Sequence, residues 1–249
     1  MNYETIILEK KGPIALVILN RPTKKNALSE QLQRELIRAC DEVEKDNGLK
    51  VMVLTGNAEC FSAGADLEDV SKTDDGLPSG PNAIHYVADM TKPTIAAVSG
   101  WCVAGGIELA LSCDMRVVAD SARIGDRHIR IGFIGGAGSP TRLVRLIGAS
   151  NAAKLILTGE IIDGKEAYRL GLANEVFPAE KLMDGAFELA GKIASHSLTA
   201  LRLSKKSVKG AADTPEYESI HHTQGCLLEL LASAEYKERI SNFLGKGKG

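Results

Sequence analysis

The residues whose types and spacing best suit chemistry lie in the stretch GWCVAGGIELALSCD, residues 100–114. One glutamate, Glu108, follows Gly105 by three residues inside a run that is otherwise apolar. Burial of a carboxylate among apolar side chains is costly without polar partners, so function explains this placement better than packing does. The sequence therefore predicts that Glu108 transfers protons. The alternative is an exposed glutamate on an amphipathic helix.

Two backbone amides are predicted to lie beside this glutamate. Ala65 and Gly105 hold comparable places in two strand–loop–helix passages that are forty positions apart. The first residues of a helix carry unpaired N–H groups, and a glycine admits a substrate because it has no Cβ. Two such helix starts that face each other can aim one N–H each at a single carbonyl oxygen, which makes an oxyanion hole. Glu108 would stand beside it, one helical turn beyond Gly105.

The passages that must position these groups repeat along the chain, which predicts an α/β fold built as a spiral of repeated units. A helix is predicted from Ser29 to Asn47-Gly48. Residues 101–106, WCVAGG, are predicted to form a loop between a strand and the helix that carries Glu108, and residues 71–82 a surface loop. Strands are predicted over 3–10, 13–20, 51–56, 94–100, 114–120, 122–125 and 173–178.

No strand is predicted beyond about residue 179, and the rest of the chain has the pattern of helices. Four helices are predicted, over 179–196, 198–212, 214–233 and 234–245. We therefore divide the chain into an α/β core over 1–195, which contains the chemical site, and a helical region over 196–249.

The bulk composition excludes several classes of protein. The 249 residues carry a formal net charge of −2, which gives no basic field to attract nucleic acid or an anionic membrane. The five cysteines form no CxxC pair, so neither a zinc site nor a disulfide framework is predicted. The start MNYETIILEKKGP does not predict a signal peptide, and no apolar run of about 18 residues predicts a membrane span. We expect a cytoplasmic protein without a metal site.

Several motifs together resemble the enoyl-CoA hydratase/isomerase (crotonase) superfamily, in order and through nearly the whole chain. These motifs are LNRPTKKNAL (19–28), CFSAGADL (60–67), KPTIAAVSGWCVAGGIELALSCD (92–114), IGFIGGAGSPTRLVRLIG (131–148) and LTGEIIDGKEAYRLGLANEVFP (157–178). The resemblance implies a crotonase-type (ClpP/crotonase) spiral of ββα units with a C-terminal helical region that mediates trimers. It also implies a homotrimer or a dimer of trimers.

The resemblance further implies a lyase of fatty acid metabolism that acts on acyl-CoA thioesters, with coenzyme A as part of the substrate and no other cofactor. The amides of Ala65 and Gly105 would polarise the thioester oxygen, and Gly136 matches the position whose amide helps to hold the water. The positions that match the family's CoA contacts are Lys24, Lys25, Ala27, Ala63, Asp66, Leu67, Phe243 and Lys246.

The sequence departs from the family at the second catalytic position. The hydratases of the family use two glutamates, of which one corresponds to Glu108. The other lies four residues before a glycine, and in GDRHIRIG (125–132) that position is His128, with Asp126 the nearest carboxylate. A glutamate and a histidine can together supply the base and the acid that hydration of a 2-enoyl-CoA needs.

Other readings of the site stay open at this point. A histidine beside a thioester would also serve an acyl-CoA hydrolase, a decarboxylase or an enzyme of retro-aldol cleavage; the family's isomerase reaction is less well matched. His128 could instead be structural, bonded to Asp126 or to a neighbouring subunit. The remaining alternative is a non-catalytic acyl-CoA-binding homologue that retains the fold.

Overall fold

The structure is a computed structural model, and it describes residues 3–71, 82–212 and 214–246. The strands are β1 (Ile6–Lys11), β2 (Ile14–Leu19), β3 (Val51–Thr55), β4 (Cys60–Ser62), β5 (Thr94–Val98), β6 (Trp101–Val103), β7 (Met115–Ala119), β8 (Arg123–Gly125) and β9 (Glu175–Phe177). The helices are α1 (Glu30–Lys45), α2 (Leu67–Val70), α3 (Ala83–Asp89), α4 (Gly105–Ser112), α5 (Ser139–Thr158), α6 (Gly164–Arg169), α7 (Leu182–Ala194), α8 (Leu198–Ala211), α9 (Glu216–Ala232) and α10 (Ala234–Lys246).

The larger sheet has six strands in the order β1-β2-β3-β5-β7-β9. β1 and β2 form an antiparallel hairpin, and the later pairs are parallel. All residues of β3 and β5 are buried, as the unbroken apolar runs VMVLT and TIAAV predict for strands that are covered on both faces. This sheet is the main part of the core.

Helix α1 shows why the sequence pattern was informative for the large elements. Ser29 caps it, because the Ser29 side chain accepts a hydrogen bond from the backbone N–H of Leu32. The apolar residues at helical spacing, Leu32, Leu36, Ala39 and Val43, are all fully buried against the sheet. The predicted helix is confirmed, and the observed helix ends before Asn47.

A second, three-stranded sheet orders β4, β6 and β8 in parallel. The prediction that residues 101–106 form a loop is therefore wrong for Trp101–Val103, which is β6. The predictions also missed β4 and the long helix α5. β4 follows a glycine-containing turn and has only three residues, so it shows too little alternation to stand out, and the glycines before α5 give that segment the composition of a loop.

Together the two sheets confirm the predicted spiral. β3–β4–α2 and β5–β6–α4 are successive ββα units, and β7–β8 begins a third that continues into a 3₁₀ turn at His128–Ile131. Helix α4 contacts strands of both sheets, β5 and β7 on one side and β4 and β6 on the other. This placement puts Glu108 between the sheets.

The predicted helical C-terminal part is confirmed. α7 packs against β3, β5 and β7, and α8 packs against α9. Lys205 of α8 attaches this region to the core, since its Nζ pairs with Asp114 at 2.6 Å and donates to the Lys92 carbonyl at 2.8 Å. The division of the chain at residue 195 stays a prediction, and the loop predicted over 71–82 lies, except for its two ends, outside the described residues. Among the described helices, none combines the length and apolar character that crossing a membrane requires.

Candidate active site

The start of helix α4 is fixed by close backbone packing. Ala104, the residue before the helix, has φ 51° and ψ −125°, a conformation that costs energy in a residue with a Cβ. A Cβ on Gly106 would lie only 2.1 Å from the carbonyl oxygen of Ser62, so the helix lies directly on β4. The first turn of α4 therefore has little freedom, and the Gly105 N–H has a defined direction.

The amides of Ala65 and Gly105 lie side by side. A Cβ on Gly64 would be 2.7 Å from the Gly105 nitrogen, and a Cβ on Gly105 would be 3.2 Å from the Ala65 nitrogen. Within the described part of the chain, neither N–H donates to a hydrogen-bond acceptor. Two adjacent, unpaired donors at the start of a helix are the arrangement that an oxyanion hole requires.

The loop that carries Ala65 is held by residues from the LNRPTKKNAL motif. The Leu28 N–H donates to the Gly64 carbonyl at 2.8 Å. Arg21 Nη1 donates to the buried Asp66 carboxylate at 2.8 Å and to the Ala27 carbonyl at 2.7 Å. The position of the Ala65 amide is thus determined from two directions.

Glu108 is buried, with 3 % of its surface exposed, which excludes the amphipathic-helix alternative. Its Oε1 accepts hydrogen bonds from the backbone N–H groups of Ala137 at 2.8 Å and Ser139 at 3.1 Å. Ser139 is the first residue of α5, so the partial positive charge of this helix start faces the carboxylate. These two backbone donors satisfy the hydrogen-bonding needs of Oε1 inside the protein and fix the position of the side chain.

His128 lies between two carboxylates. Its Nδ1 is 2.8 Å from Asp126 Oδ1, and its Nε2 is 3.8 Å from Glu108 Oε2. Burial alone would lower the pKa of His128, but the hydrogen bond with Asp126 and the negative charges of Asp126 and Glu108 raise it above its usual value. The structure thus shows the predicted contact with Asp126 and also brings His128 to face Glu108.

The separation of Glu108 and His128 suits a shared reaction partner. At 3.8 Å the two side chains are too far apart for a direct hydrogen bond, so both can reach one group placed between them. The loop over them is tight, since a Cβ on Gly135 would lie 3.1 Å from both Glu108 Oε1 and Asp126 Oδ2. Gly136 is the next residue of this loop and is exposed, with no atom within 4 Å of the place where a Cβ would be.

The predicted CoA-contacting residues divide into two groups. Those of the first group surround the Ala65 loop: Ala63 donates its N–H to the Lys25 carbonyl, Lys24 is exposed and pairs with Glu68, and Leu67 is exposed at the start of α2. The second group lies on α10, where Phe243 is exposed and the side chain of Lys246 lies outside the described residues. The roles of both groups stay predictions.

The sequence reasoning missed one residue of the site, Ser139. Its N–H donates to Glu108 and its hydroxyl to Asp126 Oδ2, so it contacts both carboxylates. The signal was present in GGAGSP, because a glycine before a helix and a proline in its first turn mark a helix start. Unpaired N–H groups at that start are suited to a carboxylate.

Comparison with known proteins agrees with the motifs. The family model described as Enoyl-CoA hydratase/isomerase matches residues 9–249. A probable enoyl-CoA hydratase of Rhizobium meliloti is 37% identical over 251 residues, which covers 100% of this chain and 98% of that protein. A 2,3-dehydroadipyl-CoA hydratase of Escherichia coli is 34% identical over 244 residues, with 97% of this chain and 96% of that protein covered.

A solved structure extends this agreement from sequence to fold. The enoyl-CoA hydratase from Bacillus anthracis superposes with a TM-score of 0.91 at 30% identity, covering 98% of this chain and 97% of that one. Since the family model covers almost all of the chain and full-length relatives exceed 30% identity, this protein belongs to the enoyl-CoA hydratase/isomerase family.

Proposed function

We propose that this protein is an acyl-CoA lyase, an enoyl-CoA hydratase that adds water across the double bond of a 2-enoyl-CoA. One observation carries the proposal: the unpaired amides of Ala65 and Gly105 lie side by side at the start of the short helix α4, which also carries the buried Glu108 that faces His128. The names of the relatives support the same reaction.

The two amides act on the thioester. Hydrogen bonds from Ala65 and Gly105 to the carbonyl oxygen draw electron density from the conjugated C2=C3 bond, so that C3 becomes electrophilic. As water adds to C3, negative charge develops on the same oxygen. Donors that are already in position stabilise this charge without reorganisation.

Glu108 and His128 divide the proton transfers between them. Glu108, held in position by the Ala137 and Ser139 amides, takes a proton from the water whose oxygen bonds to C3. The C2=C3 electron pair moves to C2, which takes a proton from the His128 imidazolium. A proton passing from Glu108 to His128 then restores the starting state, so the reaction consumes one water and no other reagent.

The test is incubation of the full-length protein with crotonyl-CoA. We expect the enoyl absorbance to fall while no free thiol appears. No change in absorbance with enoyl-CoA substrates of several chain lengths would contradict the proposal.

Thioester hydrolysis is a second candidate because Asp126 orients His128 in the way that an acidic residue orients the general base of many hydrolases. If His128 activated water for attack on the carbonyl carbon, the same oxyanion hole would stabilise the tetrahedral intermediate. Release of free CoA thiol in the crotonyl-CoA assay distinguishes this reaction from hydration.

We also propose that the protein assembles as a homotrimer or a dimer of trimers. The support is an exposed apolar surface on α9 and α10, which a single chain leaves in water. We name it the C-terminal apolar surface; it consists of Tyr217, Ile220, Leu227, Leu228, Leu231, Ile240 and Phe243.

We further propose a cytoplasmic enzyme of fatty acid metabolism. The slightly negative net charge gives it no electrostatic attraction to anionic membranes, and its five cysteines are all unpaired and buried, as suits a reducing compartment. Cell fractionation with an antibody to the protein tests the location.

A further inference from the structure

Asp126 is buried on the side of His128 that faces away from Glu108. It is 1 % exposed, and its Oδ1 lies 2.8 Å from His128 Nδ1 and accepts the His128 backbone N–H at 3.1 Å. Oδ2 accepts the Ser139 hydroxyl. With both oxygens occupied, Asp126 has no free face toward the space between His128 Nε2 and Glu108 Oε2. Asp126 can therefore act on the reaction only through the groups that it binds, the His128 ring and Ser139.

The contact at Nδ1 determines which nitrogen of His128 faces the reaction. Because Asp126 is an acceptor, Nδ1 carries a proton in both charge states of the ring. Nε2 then faces Glu108, and when the ring is protonated it presents an N–H toward the space where C2 of the substrate would lie. Without Asp126, a neutral ring could place its single proton on either nitrogen.

The surrounding charges favour the doubly protonated ring. Within the described residues, the charged groups that act on His128 are Asp126 and Glu108. Arg142 of α5 interacts electrostatically with Glu108, but the Nη1 atom of Arg142 donates a hydrogen bond to the Ala137 carbonyl at 2.8 Å. The pKa of His128 is raised accordingly, and hydrogen bonds from His128 and Ser139 outweigh burial and lower the pKa of Asp126.

From this geometry we propose that Asp126 is a positioning residue: it holds the His128 ring with Nε2 toward Glu108 and makes that nitrogen the proton donor of the reaction. The role of Nε2 as proton donor rests on the proposed function. The orientation and protonation of the ring do not, since they can be measured without substrate. It assigns to an Asp–His pair the part that a second glutamate has in the hydratases that the sequence resembles.

The experiment is an NMR titration of the full-length protein labelled with ¹⁵N-histidine, in which His128→Gln identifies the His128 signals. In the wild-type protein we expect a His128 midpoint above the usual value of about 6.5 and a neutral tautomer with the proton on Nδ1. In Asp126→Asn the midpoint should fall by at least one pH unit, about tenfold in the proton-binding constant. The control is Asp163→Asn. Asp163 is the exposed N-cap of α6, and asparagine is an equally good N-cap, so this variant should leave the His128 midpoint and tautomer unchanged.

The kinetic part uses the pH profile of kcat/KM for crotonyl-CoA. The alkaline limb reports loss of the proton donor, so it should move to lower pH in Asp126→Asn by the same amount as the His128 midpoint. An unchanged midpoint in a folded Asp126→Asn, or a wild-type neutral tautomer with the proton on Nε2, overturns the proposal. The wild-type tautomer decides the matter if the variant does not fold. A wild-type protein that hydrates no enoyl-CoA would refute the proposed function and leave the NMR result as a separate test of Asp126.

Discussion

At the scale of residues, the site depends on groups that make a buried carboxylate tolerable. Glu108 is in the middle of an apolar helix, and the two N–H groups that stabilise its charge come from Ala137 and Ser139. The sequence predicts that Glu108 is unusual, because a charge in an apolar run needs a reason. It does not show which residues hold it, because Ala137 and Ser139 are about thirty positions further along the chain and only the fold brings them to Glu108.

Glu108→Gln tests the role of this carboxylate. The amide has nearly the same shape but cannot take a proton from water, so we expect kcat/KM for crotonyl-CoA hydration to fall by about 10² to 10⁴. The control is Glu180→Gln on the exposed 3₁₀ turn before α7, which should be fully active. Full activity of Glu108→Gln with unchanged oligomeric mass would remove Glu108 from the mechanism.

At the scale of elements, the oxyanion hole is formed where two ββα units meet. The Gly64–Ala65 loop follows β4, α4 follows β6, and these strands are neighbours in the small sheet. Glycines are needed where the two loops meet, because a Cβ atom would fill the space between them. A Cβ on Gly64, whose φ is +97°, would have the Gly105 nitrogen as its nearest atom. The pairing of β4 with β6 is thus what brings the two amides together.

Gly64→Ala is predicted to damage activity far more than stability. Its methyl group would press on the Gly105 amide, so we expect kcat for crotonyl-CoA to fall by about 10² or more, as for the loss of one oxyanion donor. Gly12→Ala is the control: its φ of +58° also places a Cβ in the left-handed region, at a cost of about 1 kcal/mol, but no atom lies within 4 Å of the added group. Urea unfolding and steady-state kinetics of both variants make the comparison. An equal loss of activity in the two would show that backbone strain, not the amide pair, is responsible.

The sequence predicted elements unevenly, for physical reasons. The strands β3 and β5 of the large sheet and the helix α1 have clear apolar patterns of one period, and the structure confirms them. In the small sheet the structure confirms the predicted β8, but β4 and β6, with three residues each, were not predicted as strands. For this reason the sheet that positions the two amides was harder to predict than the sheet that forms the core.

At the scale of the whole molecule, the chain joins an α/β spiral to a helical region whose last two helices expose several large apolar side chains. Lys205, Asp114 and the Lys92 carbonyl connect the two parts in the interior. The C-terminal apolar surface lies on the two last helices, beyond this connection. The spacing of apolar residues predicted those helices, but this spacing does not indicate which apolar residues another chain covers.

Leu228→Arg tests whether the C-terminal apolar surface holds subunits together. Leu228 is 67 % exposed on α9, so a charge there should not disturb the fold of one chain. It should weaken an assembly that buries the residue. We expect sedimentation velocity to give the mass of a trimer or hexamer for the wild-type protein and for the control Ala179→Arg, and a smaller species for Leu228→Arg. A monomeric wild-type protein would contradict the proposed assembly.

The whole mechanism depends on where a thioester binds. The most direct measurement is a crystal structure of the protein with an unreactive saturated acyl-CoA, in which the position of the thioester oxygen is determined. We expect this oxygen to lie about 2.7–3.1 Å from both the Ala65 and the Gly105 nitrogens, with the Glu108 carboxylate and His128 Nε2 facing the α and β carbons. An oxygen bound by other donors, or by only one of these amides, would contradict it.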